Sequence, residues 1–227
     1  MTLPAYATLT TVLAPFGLIP RGGFVFDGDE HAPHGTRQSP AKCVVLVGHA
    51  GSSIWPHFMR WRAEEGRGQA DPLDTWSKQV LGEAAEKLGA RAVFPSDKPW
   101  LPFQQWAQRA EGLKPSPLGL LIHPVYGLWH AYRGALLFDE VIDFPDRPEP
   151  DHPCEWCMDK PCLSACPVDA FDGAGFAVAR CRDYLVTDAG GACRTSGCLA
   201  RLACPVGRDY AYDTAQQRFH MAAFMGG

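Results

Sequence analysis

The stretch CEWCMDKPCLSACPVDAF (residues 154–171) sets four thiols within thirteen positions and a proline directly behind the fourth. Its spacing is Cys154-x2-Cys157-x4-Cys162-x3-Cys166-Pro167. A second run follows: Cys181, then Cys193-x4-Cys198-x5-Cys204-Pro205. Eight of the nine cysteines therefore lie between Cys154 and Cys204, and the ninth, Cys43, stands alone in AKCVVLVG. Disulfide scaffolds spread their cysteines along small secreted chains, whereas a dense block suits metal ligation in a reducing compartment. The N-terminus, MTLPAYATLTTVLAPFGLIPRGGF, lacks a basic start, a long apolar run and a small-residue cleavage site, so a cytoplasmic location is expected. Cys43 reads as a small buried strand residue.

Outward from this block the chain is ordinary. It has 227 residues, 46% hydrophobic and 20% charged, with a net charge of −4. No run of about eighteen apolar residues offers a membrane span. Before Pro148 there are 14 basic and 15 acidic residues, and after it 7 and 10, giving −1 and −3. Neither half has the clustered Lys and Arg that neutralise phosphates, so no nucleic-acid partner is expected. Residues 1–40 read as irregular apart from a short apolar stretch at Phe24–Phe26. AKCVVLVG reads as a buried strand, and HAGSSIWPHFMRWRAEE as a turn into a helix. The loop GHAGSS could present amides to a phosphate, yet it is neither a Walker loop nor G-x-G-x-x-G, and FMN has no further support. In DPLDTWSKQVLGEAAEKLGA, Asp71 and Pro72 open a helix, Leu73, Trp76, Val80, Ala84 and Leu88 form its apolar stripe, and Gly89 ends it. RAVFPSD reads as a strand, PFQQWAQRAEG as a short helix, and GLLIHP and LWHAYRGALLF as two more strands. The order implies an α/β layer. DFPDRPEPDHP, with four prolines in eleven residues, is the expected boundary between domains at 1–148 and 149–227. The tail RDYAYDTAQQRFHMAAF reads as a closing helix.

The two Cys-Pro ends, one per run, resemble bacterial two-cluster ferredoxins. There a close triplet holds one [4Fe–4S] cluster, and the cysteine before proline crosses to the other. That resemblance implies one set of Cys154, Cys157, Cys162 and Cys204, and another of Cys181, Cys193, Cys198 and Cys166. The x4 gaps depart from the simplest ferredoxin spacing. Zinc sites and a single cluster are the other readings; four-cysteine zinc sites usually show two C-x2-C knuckles, and here there is one.

The block, with RCRDYL at its centre, looks like the iron–sulfur half of epoxyqueuosine reductases. GLLIHPVYGLWHAYRGALL (Gly119 to Leu137) resembles a stretch shared by those enzymes and the CblC-type cobalamin-processing proteins. DPLDTWSKQVLGEAAEKLGARAVFPSD is similar to the helix and strand before it in the CblC group. Together these cover about residues 41–210. The resemblance implies an α+β protein: a flavin-reductase-like α/β sandwich, related to nitroreductases, followed by a small ferredoxin-like two-cluster domain. It implies two [4Fe–4S] clusters that pass electrons to a cobalamin, an electron-donor protein as partner, and a small substrate or a corrinoid as the molecule acted upon.

Single residues carry over as follows. Counting back from Trp106-Ala107 to the position of the reductases' catalytic carboxyl lands on Asp97, although DKPW departs from the pattern around it. An apolar pocket made by Trp100 and Phe103 would raise its pKa and make it a general acid; capping the following helix is its bland alternative. His123, Tyr126, Trp129 and Arg133 are the candidates for the corrin's surroundings. His123 could instead bond a backbone carbonyl in the turn, and the aromatics could be core. Arg133 needs an anionic partner if buried. The chain ends 23 residues after Cys204, with no helical-repeat segment for tRNA, so a tRNA substrate is not expected. A ferredoxin-type electron carrier without cobalamin is the alternative function.

Overall fold

The computed structural model describes residues 6–226 except 29, 147–149, 173 and 174. Along the chain run α1 (Tyr6–Leu13), β1 (Ile19–Val25), β2 (Cys43–Ala50), α2 (Trp55–Glu64), α3 (Pro72–Leu88), β3 (Arg91–Val93), α4 (Phe103–Glu111), β4 (Lys114–Pro115), β5 (Leu121–Ile122) and β6 (His130–Phe138). Then follow α5 (Pro153–Trp156), α6 (Pro161–Ser164), β7 (Phe171–Asp172), β8 (Gly175–Phe176), α7 (Val178–Leu185), α8 (Gly191–Ser196), α9 (Leu199–Leu202) and α10 (Thr214–Gly226). The architecture is mixed helix and sheet of the α+β kind. It divides into two units, Met1–Gly112 with Ala131–Glu149, and Leu113–His130 with Pro150–Gly227.

The first unit is built on a four-stranded sheet in the order β1-β2-β6-β3, with β1–β2 and β3–β6 antiparallel. β2 is buried from Cys43 to His49. Covered on both faces, it reads as a continuous apolar run rather than an alternating one. On α3 all five residues of the expected stripe are buried, and Gly89 closes the helix in the left-handed conformation, its N–H reaching the carbonyls of Ala85 and Glu86. Asp71 stands at the N-cap position, but its side chain caps nothing.

Among the described residues of the first forty, two regular elements correct the sequence reading. YATLTTVL forms α1, which buries Leu9 and Leu13. Its β-branched residues favour other conformations, so tertiary packing decides the helix. IPRGGFV forms the edge strand β1, whose proline and glycines are tolerated because the register shifts between Pro20 and Gly23. Within β1, Arg21 is 1% exposed and forms a double contact with Glu111 of α4, Nε–Oε1 at 3.0 Å and Nη2–Oε2 at 2.9 Å. Tyr132 donates its hydroxyl to the same carboxylate, and the Arg21 guanidinium lies 4.9 Å from the Tyr132 ring centre.

The second unit has short helices and two two-stranded ribbons, β4–β5 and β7–β8. Its core joins Leu118, Ile122, Leu128 and Ala200 to Cys162 and Cys204, with Cys154, Cys166, Cys198, Leu163, Phe171 and Val206 packed around them. Residues 113–130 group with the cysteines because Leu118, Ile122 and Leu128 supply apolar area that the cysteine region lacks. Arg201 of α9 clamps the same segment: it donates to the Leu128 carbonyl and lies over the rings of Trp129 and Tyr212, at 4.4 and 4.6 Å. Of the proline-rich linker, residues 147–149 lie outside the described residues.

Candidate functional site

The eight thiols of the second unit fall into two groups, and none is in a disulfide. Burial, then the neighbouring Cys204, Cys162 and Cys157, push the Cys154 thiol up. Burial, then Cys204 and Cys157, do the same to Cys162. These four also line one small apolar cavity of about 20 Å³, walled by Ile122, Leu128, Val206 and four prolines, Pro117, Pro153, Pro161 and Pro205. In the other group, burial followed by Cys198, Cys166 and Cys193 pushes Cys181 up to about 11. Cys198 is raised by burial, with Cys193 and Cys166 adding to it. The groups are thus Cys154, Cys157, Cys162 and Cys204, and Cys166, Cys181, Cys193 and Cys198.

Short proline-led helices bend the chain between thiols. Pro153 opens α5 and Pro161 opens α6, each four residues long. Proline suits the first helical position because its missing N–H is an orphan there anyway. Backbone amides converge on the sulfurs. The Ala170 N–H donates to Cys166 Sγ at 3.3 Å. The amide of Leu163 works against the upward shift of Cys162, that of Val206 against Cys204, and those of Arg201 and Ala200 against Cys198. Amides aimed at sulfur favour the thiolate, the form that ligates metal. Among the described residues no group of three or more His, Cys, Asp or Glu is arranged to hold a metal ion.

The turn His123–Gly127 is docked, backbone to backbone, on the turn that follows Cys204. A Cβ on Gly127 (φ +56°) would lie 1.9 Å from the Val206 carbonyl oxygen, and one on Gly207 (φ +69°) 2.3 Å from the Tyr126 carbonyl carbon. The turn is closed by paired bonds between the backbones of His123 and Gly127, each 2.9 Å. His123 Nδ1 accepts the amides of Val125 and Tyr126 at 3.0 and 3.1 Å, and the ring stacks on Tyr126 at 4.1 Å. Tyr126 in turn meets Tyr210 edge-on at 4.9 Å. The histidine thus bonds backbone amides, where a carbonyl was the expected alternative.

His123, Tyr126 and Trp129 lie in the cysteine-bearing unit, while Asp97 and Arg133 lie in the other. Trp129 is buried beneath Arg201 and against Tyr212, at 5.4 Å, and has no open face. Arg133 has its anionic partner: Nη2 contacts Asp74 at 2.6 Å, and Nε donates to Ser77 at 2.9 Å. Asp97 differs from expectation. Its side chain is 40% exposed and pairs with Lys78 at 2.7 Å. Trp100 is 74% exposed, so no apolar pocket forms around Asp97 from that side. Nor does Asp97 cap the next helix, which starts at Phe103 behind Pro102. Sequence reasoning missed the Arg21–Glu111–Tyr132 cluster, since an arginine inside an apolar strand carries no local signal of its partner. It also missed the docking of the two turns, for which the glycines of HPVYG and CPVG were the available clue.

No family model matches the chain, and no curated protein matches it. Solved structures do. A B12-trafficking protein from C. elegans, CblC, aligns with a TM-score of 0.51 at 15% identity, covering 95% of this chain and 91% of that one. An epoxyqueuosine reductase, solved with an epoxyqueuosine-modified tRNA stem loop, aligns with a TM-score of 0.51 at 16% identity over 92% of this chain and 65% of that one. The epoxyqueuosine reductase of Bacillus subtilis gives a TM-score of 0.45 at 16% identity, over 77% of this chain and 50% of that one. The chain therefore spans between half and two thirds of the length of these two reductase chains. At the first two scores the likeness is one of fold. Among the described residues no helix is long and apolar enough to cross a membrane.

Proposed function

We propose that this chain is an iron–sulfur redox protein, a cobalamin-dependent reductase acting on a small substrate or on a corrinoid itself. One observation carries the reading: eight thiols divide into two sets of four, and the first set lines an apolar cavity against which the His123–Gly127 turn is built. The donor set fits a cluster better than a lone ion. One zinc would draw four sulfurs to about 2.3 Å from a single point. Neighbouring thiols push up Cys154, Cys162, Cys181 and Cys198, and the sequence carries only one of the two C-x2-C knuckles usual in four-cysteine zinc sites. A cubane spreads its thiolates over separate iron corners.

When bound, the two clusters would supply electrons one at a time, and a corrin would supply a strongly reducing cobalt centre. The chain's own residues have simpler duties. Eight cysteines bind as thiolates, favoured by the amides of Leu163, Ala170, Ala200, Arg201 and Val206. His123 and Tyr126 offer a half-buried stacked pair as a wall for a flat ligand. Asp97 is the proposed proton donor, available once its pair with Lys78 opens.

The test is an anaerobic titration of iron-replete protein with cob(II)alamin, followed by absorbance and electron paramagnetic resonance. A base-off spectrum saturating near one equivalent supports the reading, and an unchanged spectrum with the clusters intact removes the corrin from it. An electron carrier without cobalamin is the second reading. It is favoured by Trp129 and Arg133, two of the four candidate corrin contacts, which are already engaged by Arg201 and Asp74.

A further inference from the structure

The turn that carries Cys154 and Cys157 exposes what a folded chain normally hides. Trp156 is 75% exposed and Met158 is 86% exposed. They flank Cys157 directly, so each backbone lies about 3.8 Å, one residue, from that thiol's own. Around them Asp151, Glu155, Asp159 and Lys160 are all exposed. From 151 to 160 the chain holds three acids and one base, a net charge of −2. An apolar centre in a rim of one dominant sign is the anatomy of a transient protein interface, and Trp and Met are enriched in such centres.

We infer that this surface is the docking site of an electron-donating protein whose contacting face is basic around an apolar centre. The inference rests on the reading of the first cysteine set as a cluster. The step it serves is a bare electron transfer: the partner's one-electron centre is oxidised, the cluster is reduced, and no bond or proton moves. A partner seated on Trp156 sits on the residue next to Cys157 and two from Cys154 in the chain. The acidic rim speeds the encounter with a basic partner. It also opposes two other occupants, an anionic lipid surface and a second copy of this chain, whose own rim has the same sign. An encounter of this kind buries less than about 1,200 Å² and releases quickly.

The probe is ferricytochrome c, a basic haem protein, mixed anaerobically with the dithionite-reduced, cluster-loaded protein in a stopped-flow instrument. The second-order rate is expected to fall about tenfold between about 0.02 and 0.2 M salt, as the Debye length contracts from about 20 to about 7 Å. Exchanging the acids, Glu155→Lys with Asp159→Lys, should slow the low-salt reaction about tenfold and flatten its salt dependence. Trp156→Ser should slow it at both salt levels. Ferricyanide, an anionic oxidant, should react faster with the double lysine variant. Iron content and the resonance spectrum of each reduced variant check that the clusters are intact. Rates that ignore both salt and substitution, with clusters intact, overturn the docking surface alone. A wild-type chain that takes up no iron–sulfur cluster overturns the cluster reading and the docking surface with it. A dimer in sedimentation velocity that Trp156→Ser dissolves would assign the surface to a second copy instead.

Discussion

Replacing Gly127 with alanine tests whether the His123–Gly127 turn and the cysteine region are one mechanical piece. The cost has two parts. At φ +56° an L residue pays about 1–2 kcal/mol for the left-handed conformation. The added Cβ would also sit 1.9 Å from the Val206 carbonyl oxygen and 2.6 Å from its carbon, so backbone must move by more than 1 Å, an overpacking cost of about 1–3 kcal/mol. The sum is about 2–5 kcal/mol. Val206 lies two residues beyond Cys204, and its amide favours the Cys204 thiolate, so the displacement reaches a proposed ligand. Gly119 is the control. It has φ +76° and nothing within 4 Å of its would-be Cβ, so Gly119→Ala should cost only the conformational strain, about 1–2 kcal/mol. Denaturant unfolding measures both costs, and iron retained after anaerobic reconstitution shows whether the first set is hurt. The expected outcome is a large loss of stability and of iron for Gly127→Ala, and a small loss of stability with full iron for Gly119→Ala. Equal behaviour of the two variants would refute the docking of the turns as the cause.

Three further predictions concern separate parts of the molecule. Cys162→Ala should remove the iron of one set and destabilise the second unit, since Cys162 is both a proposed ligand and a member of the core; unchanged iron content would refute the ligand assignment. Arg21→Met should destabilise the protein by about 3–5 kcal/mol by stranding Glu111, whereas adding Glu111→Leu should recover much of that loss. A double-mutant cycle by denaturant unfolding measures this, and additive losses would contradict the pairing. Asp97→Asn should leave corrin binding intact and lower reductase turnover, while full turnover would reduce Asp97 to the surface partner of Lys78.

What was legible in the sequence followed local rules. The stripe of α3 and its glycine stop depend on residues three or four apart, so periodicity displays them. The buried strand from Cys43 announces itself as an unbroken apolar run. The cysteine block announces itself by density alone, eight cysteines between Cys154 and Cys204. The remainder depended on contacts distant in sequence. Nothing near Ile19–Val25 says that Glu111 waits to pair with Arg21, 90 residues away. Thr10 and Thr11 disguise α1, whose existence rests on burying Leu9 and Leu13. The segment 113–130 reads as part of the first domain, since its affinity for the cysteines lies in Leu118, Ile122 and Leu128, apolar residues like any others. Asp97 was placed by counting from Trp106, and the surrounding loop turned Trp100 outward instead of around it.

The most direct test is to count iron and acid-labile sulfide in the anaerobically reconstituted chain and take its Mössbauer spectrum, beside Cys162→Ala and Cys166→Ala. Two cubanes predict about eight iron and eight sulfide per chain, all in [4Fe–4S] form, with each substitution removing a different cluster. Tightly bound zinc without sulfide, or about four iron that both substitutions abolish together, would contradict the assignment of two sets.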